Sequence, residues 1–173
     1  MAISRRQRLR RVGIVCCHAL RNLAYYRTWF DTGKPRADEQ FWVTANGNFA
    51  EVTVLEWCKV LADERGKHHW TKVVKDQTAF LAGLLDKLGI EESAWLDYIG
   101  EMRFLRDKFI AHLDDENEMT LPLLDIAKAS TIYLYTYLLT NENEEEDTFA
   151  DAPQDAVDWF DKFAGEAKVI YVA

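Results

Sequence analysis

Apolar residues recur in this chain at intervals of three and four, and that spacing admits one kind of element. Ile14, Cys17, Leu20 and Ala24 follow it, leading into the aromatic run YYRTWF; Phe49, Val52 and Leu55, with Glu56 and Val60, stand at helical spacing again. Few stretches alternate with period two, so strands find little support. Breaks divide the pattern. TGKPRAD at 32–38 carries Gly33 and Pro35, RGKHHW at 65–70 reads as a loop, Gly89 ends a run, and DDENEMTLP is polar. Helices are therefore expected over residues 4–31, 39–64, 75–88, 91–113 and 124–139, with an amphipathic helix in PQDAVDWFDKFAGEA. Gly47, between Asn46 and Asn48, is placed to kink or split the second. The fold class is all-α, an antiparallel helical bundle of about five to six helices, without internal repeats.

Charge divides the chain. Residues 141–173 hold ten acids and two bases, so this segment alone accounts for the net charge of −8, and residues 1–140 are neutral. The division reads as a bundle over 1–140 followed by an acidic linker and C-terminal amphipathic helix over 141–173. NENEEED should stay solvated and repel RNA. Removing 141–173 is expected to leave the bundle folded. The first eleven residues carry five arginines, a candidate RNA-binding arm or an exposed first turn. A neutral body with a basic head does not exclude nucleic acid as an acidic total would.

At 173 residues and 49% apolar, the chain suits one domain with a sizeable core. No apolar run nears the roughly 20 residues of a membrane span. His18 and Arg21 interrupt the segment after the basic head, and no cleavage site follows, so a cytoplasmic protein without a membrane partner is expected. Cys16, Cys17 and Cys58 make no disulfide framework or C-x-x-C pair. Neighbours on a helix point about 100° apart, so CCH at 16–18 cannot converge on one ion; buried structural cysteines are expected. No metal site and no cofactor are read.

The segment RDKFIAHLD at 106–114 places Arg106 and His112 six positions apart on the 91–113 helix, with Asp107 after the arginine. Arg11 and His18 are seven apart, but apolar Val12 follows Arg11. On an α-helix Met102, Leu105, Phe109 and Leu113 form one stripe, with Arg106 about 40° to one side and His112 about 80° to the other. The two are about 9 Å apart along the axis, so one straight helix cannot bring both to a single atom. Two antiparallel copies can.

The arginine, the polar residue after it and the histidine resemble the motif of the HEPN superfamily, all-α domains common in toxin–antitoxin and abortive-infection systems. The resemblance covers residues 4–140, including AHLD, HALRNLAYYRTWF and NFAEVTVLEWCKVL. It implies a metal-independent endoribonuclease of a toxin–antitoxin or phage-defence system, a homodimer through the 91–113 helix with a site built from both motifs, RNA as substrate and a cognate antitoxin as partner. His112 would act as general acid/base at the ribose 2′-hydroxyl, Arg106 would stabilise phosphate charge, and Asp107 would orient a partner group. Lys108, Lys67, His68 and Arg11 are candidate RNA-binding residues. Other readings stand beside these. His112 also suits a helix C-terminal dipole, Asp107 also suits a pair with Arg103 four residues back, and Lys67, His68 and His69 also suit a solvated loop. The alternative function is a non-catalytic HEPN-like module binding a partner protein or nucleotide.

Overall fold

The computed structural model describes residues 3–111, 121–143 and 148–172, without the side chains of 109–111. All regular structure among them is helical: α1 (Arg5–Asp31), α2 (Gln40–Trp57), α3 (Gln77–Leu88), α4 (Glu92–Leu105), α5 (Leu124–Asn141) and α6 (Ala156–Val172). The all-α bundle is what the apolar period dictates.

Local chemistry sets the ends. Ser4 Oγ accepts the Gln7 N–H (3.1 Å) while Gln7 Oε1 accepts the Ser4 N–H (2.9 Å), a reciprocal cap that starts α1. Arginines in that first turn oppose the helix dipole, and Arg5 is offset by pairing with the buried carboxylate of Glu142. Asp76 caps α3 through the Ala79 N–H (2.9 Å), and Gly89 ends it at φ 65°, a left-handed conformation that suits glycine. Gly47 neither kinks nor splits α2, which runs unbroken from Gln40 to Trp57. Satisfied neighbouring hydrogen bonds outweigh the roughly 1 kcal/mol propensity cost of one glycine.

Two π-helical turns continue α2 and α4: Cys58–Ala62 and Arg106–Ala111. The 100° step assumed for the 91–113 helix therefore fails from Arg106 onward, because i→i+5 bonding widens the turn. His112 itself, like Leu113, lies outside the described residues.

α1 packs against α2, α5 and α6, and α3 packs on α5. Trp57 lies at the heart of the core, edge-on to Trp95 (centroids 5.7 Å) and Tyr98 (5.4 Å), with its indole N–H donated to Ser130 Oγ at 2.9 Å. Cys16, Cys17 and Cys58 are free, buried thiols.

The boundary at residue 140 marks composition and not packing. Phe149, Ala156, Phe160 and Phe163 belong to the same core cluster as α1 and α5. Trp159 donates its indole N–H to the Cys17 carbonyl (3.1 Å), Tyr135 its hydroxyl to the Pro153 carbonyl (2.6 Å), and Glu142 accepts the Lys75 N–H (2.8 Å). The expectation that residues 141–173 can be removed from a folded bundle is corrected accordingly. Asp158, Asp161 and Glu166 stand exposed on α6, whose apolar face completes the core.

Candidate functional site

The first π turn packs against α4 just ahead of the second. Cys58 Sγ donates to the Met102 carbonyl (3.7 Å), the Arg103 guanidinium donates to the Ala62 carbonyl, and Arg106 reaches Asp63 at the end of the first π turn. π turns are rare and recur at functional sites; here the arginine of the sequence motif opens one of them and reaches the residue that follows the other.

Arg106 is held twice. Its Nη1 pairs with Asp63, and its Nε donates to Asp107 Oδ1 at 2.8 Å. Its side chain keeps 19% of its exposure. The hydrogen bond it donates to Asp107, followed by the bond to and charge of Asp63, raises the guanidinium pKa further above its ordinary value. Asp107 thus engages its neighbour Arg106, while Arg103 turns to the Ala62 carbonyl and lies 4.0 Å from Glu64. Beneath them burial pushes the Cys58 thiol up to about 12, against the lowering pull of Arg106, so it is no nucleophile near neutral pH.

A second constellation forms where the loop after the first π turn folds over the start of α1. Arg8 Nη1 donates to the Lys67 carbonyl (3.2 Å). His68, half-buried, has its pKa lowered first by burial and then by the positive charges of Arg11, Arg8, Lys59 and Lys67. Three of the candidate RNA-binding residues, Arg11, Lys67 and His68, are therefore neighbours, and Arg8 and Lys59 join them. Lys59 is also 3.1 Å from Glu56. Lys108, the fourth, lies on the second π turn beside Arg106 and is half-buried. The arginine arm is divided by use: Arg5 and Arg10 serve internal pairs, Arg10 with Asp151 at 2.9 Å, while Arg8 and Arg11 face the loop.

His69 is structural. It is 2% exposed, with Nδ1 accepting the Thr71 hydroxyl (2.8 Å) and Nε2–H donating to the Leu61 carbonyl (3.3 Å) in the neutral tautomer these partners imply. It ties the loop to the first π turn. Burial, the largest effect, lowers its pKa.

Asp63 and Lys59 were not singled out by the sequence, and Arg8 only as one of the arginines of the basic head. No spacing rule links Asp63 to an arginine 43 positions later. Among the described residues no group of three His, Cys, Asp or Glu side chains is placed to hold a metal ion, and no helix is long and apolar enough to cross a membrane. No family model matches the chain, and neither a curated protein nor a solved structure is significantly similar to it.

Proposed function

We propose that the chain is an RNA-binding helical module of the HEPN-like kind, gripping the phosphate backbone with Arg8, Arg11, Lys59, Lys67 and His68. The observation that carries this reading is the crowding of four cations around His68 in a chain of net charge −8. Glu56 answers Lys59 at 3.1 Å; the other like charges raise one another's energy unless an anion answers them too, and phosphate is the anion that Lys and Arg clusters take from RNA. The pairing of Arg106 with Asp63 and Asp107 inside its own bundle supports binding over chemistry, since a guanidinium flanked by two carboxylates must exchange one of them before it can receive a phosphate oxygen.

The endoribonuclease is the second reading, favoured by one observation: the motif arginine opens a π turn and reaches Asp63, which follows the other. There His112 would transfer the proton of the attacking 2′-hydroxyl, and Arg106, released from Asp63, would stabilise the charged phosphate in a reaction needing no metal. On either reading a cytoplasmic protein acting as a dimer, with an antitoxin as further partner in the catalytic case, fits the HEPN resemblance.

One experiment separates them. Purified full-length chain is incubated with mixed RNA in excess EDTA, and binding is followed by filter retention. The module reading expects salt-sensitive retention without cleavage, weakened in Arg11→Ala, Lys59→Ala and Lys67→Ala to a similar degree for every RNA sequence. Cleavage to 2′,3′-cyclic phosphate ends that is lost in His112→Ala, typically by a hundredfold or more, would establish the ribonuclease instead. Retention that ignores salt and all three variants would overturn the assigned RNA surface.

A further inference from the structure

A cavity of about 260 Å³ is bounded by α1, α5, α6 and the turn over 148–153. We propose that it is a binding site for a compact, ring-bearing organic anion.

α1 contributes Arg10, Gly13, Ile14, Cys17, His18 and Arg21, positions separated by three or four residues that lie on one helix face. Gly13 and Cys17 are the smallest of them and leave the room. A Cβ on Gly13 would stand 2.9 Å from Phe149 Cε1, so the wall is already in close contact there. Tyr135 and Phe149, both buried, form the apolar interior with Trp159. A cavity of roughly 150 Å³ accommodates benzene; the larger space here suits a fused two-ring body.

The polar groups decide the ligand's charge. Arg10 is satisfied by a bidentate pair with Asp151, both oxygens at 2.9 Å. Arg21 has no ion-pair partner among the described residues, its guanidinium lying 5.8 Å from the centre of the Phe163 ring. His18 is exposed and adds ring nitrogens. Thr148, 2% exposed, also lines the cavity and adds a hydroxyl. An apolar pocket with a few convergent polar groups is the usual form of a small-molecule site; an arginine without a carboxylate selects a carboxylate, sulfonate or phosphate head. Burial pushes the Cys17 thiol up to about 11, so the site binds and does not form a thiol adduct near neutral pH. It shares no lining residue with the Arg106 constellation and does not depend on the RNA reading.

The test titrates the full chain, by calorimetry, with naphthalene-2-carboxylate, with the neutral naphthalene-2-carboxamide and with naphthalen-2-ylmethylammonium. The carboxylate should bind one per chain, about tenfold more tightly than the amide, as expected for a charged hydrogen bond, and the cation should bind least. Arg21→Gln should remove that preference while leaving the amide's affinity in place, and Thr148→Val should weaken the carboxylate with the melting temperature checked alongside. Equal affinity for all three compounds, an Arg21→Gln variant that keeps the carboxylate preference, or no carboxylate binding at roughly millimolar concentration would each overturn the proposal.

Discussion

His68 and His69 stand next to each other in sequence and share a direction of pKa shift, yet different neighbours stand behind it. Burial leads in both; four cations add to it at His68, while the hydrogen bond to Leu61 opposes it at His69. Because both pKa values are lowered in the folded chain, the unfolded chain takes up protons first as pH falls. The stability contributed is fully present above the ordinary histidine value of 6.5 and is lost as pH drops from there toward the folded values. Urea unfolding at steps from neutral to mildly acid pH should show this decline, and His69→Gln should flatten it; an unchanged slope in that variant would contradict the assignment. Asp63 makes a separate case. Asp63→Asn keeps the shape but removes the charge facing Arg106, and should cost about 1–3 kcal/mol for a partly buried, charge-assisted hydrogen bond. The same variant should strengthen phosphate binding at Arg106, which filter retention of RNA at fixed salt will read.

The helices owe their positions to a small number of buried polar links laid over apolar packing. The Trp57–Ser130 bond ties α2 to α5 through the core. Ser130→Ala leaves an indole N–H without a partner where no water reaches it, which should lower stability by about 1–3 kcal/mol and the melting temperature by several degrees. Adding Trp57→Phe to that variant should cost less than Trp57→Phe alone, because the orphaned donor goes with it; a double-mutant cycle measures the difference. α4 presents Leu96, Gly100 and Phe104 outward at four-residue spacing, with Leu96 56% and Phe104 49% exposed and open space above Gly100. A second copy seated on this face fits the proposed dimer. Light scattering should give twice the chain mass, and Leu96→Glu should return it to one without loss of helical signal.

Across the whole chain, the C-terminal segment is acidic outside and structural inside. Phe149, Phe160 and Phe163 fill space against α1, and Glu142 answers Arg5 at the start of that helix. Deleting residues 141–173 should therefore remove the cooperative thermal transition, since burying large apolar side chains contributes roughly 1.5–3 kcal/mol each against a total stability of only about 5–15 kcal/mol. Circular dichroism of the truncated chain will show it. A retained transition would mean that α6 is dispensable in spite of its place in the core.

The apolar period was enough to place the helices, because each helix must bury one stripe and that stripe is written locally. The breaks at 32–38 and at Gly89 were equally local, being matters of backbone conformation. Composition likewise identified the cysteines as core residues. The sequence also pointed to Arg106 and Asp107 as neighbours of interest, and three of its four candidate phosphate contacts did not assemble until the loop at 63–69 folded against α1. Tertiary structure alone decided that Arg106 meets Asp63, that π turns follow α2 and α4, that an acidic tail closes the core, and that Gly13 and Cys17 open a cavity. Those outcomes depend on contacts between residues dozens of positions apart, whose energies no local pattern encodes.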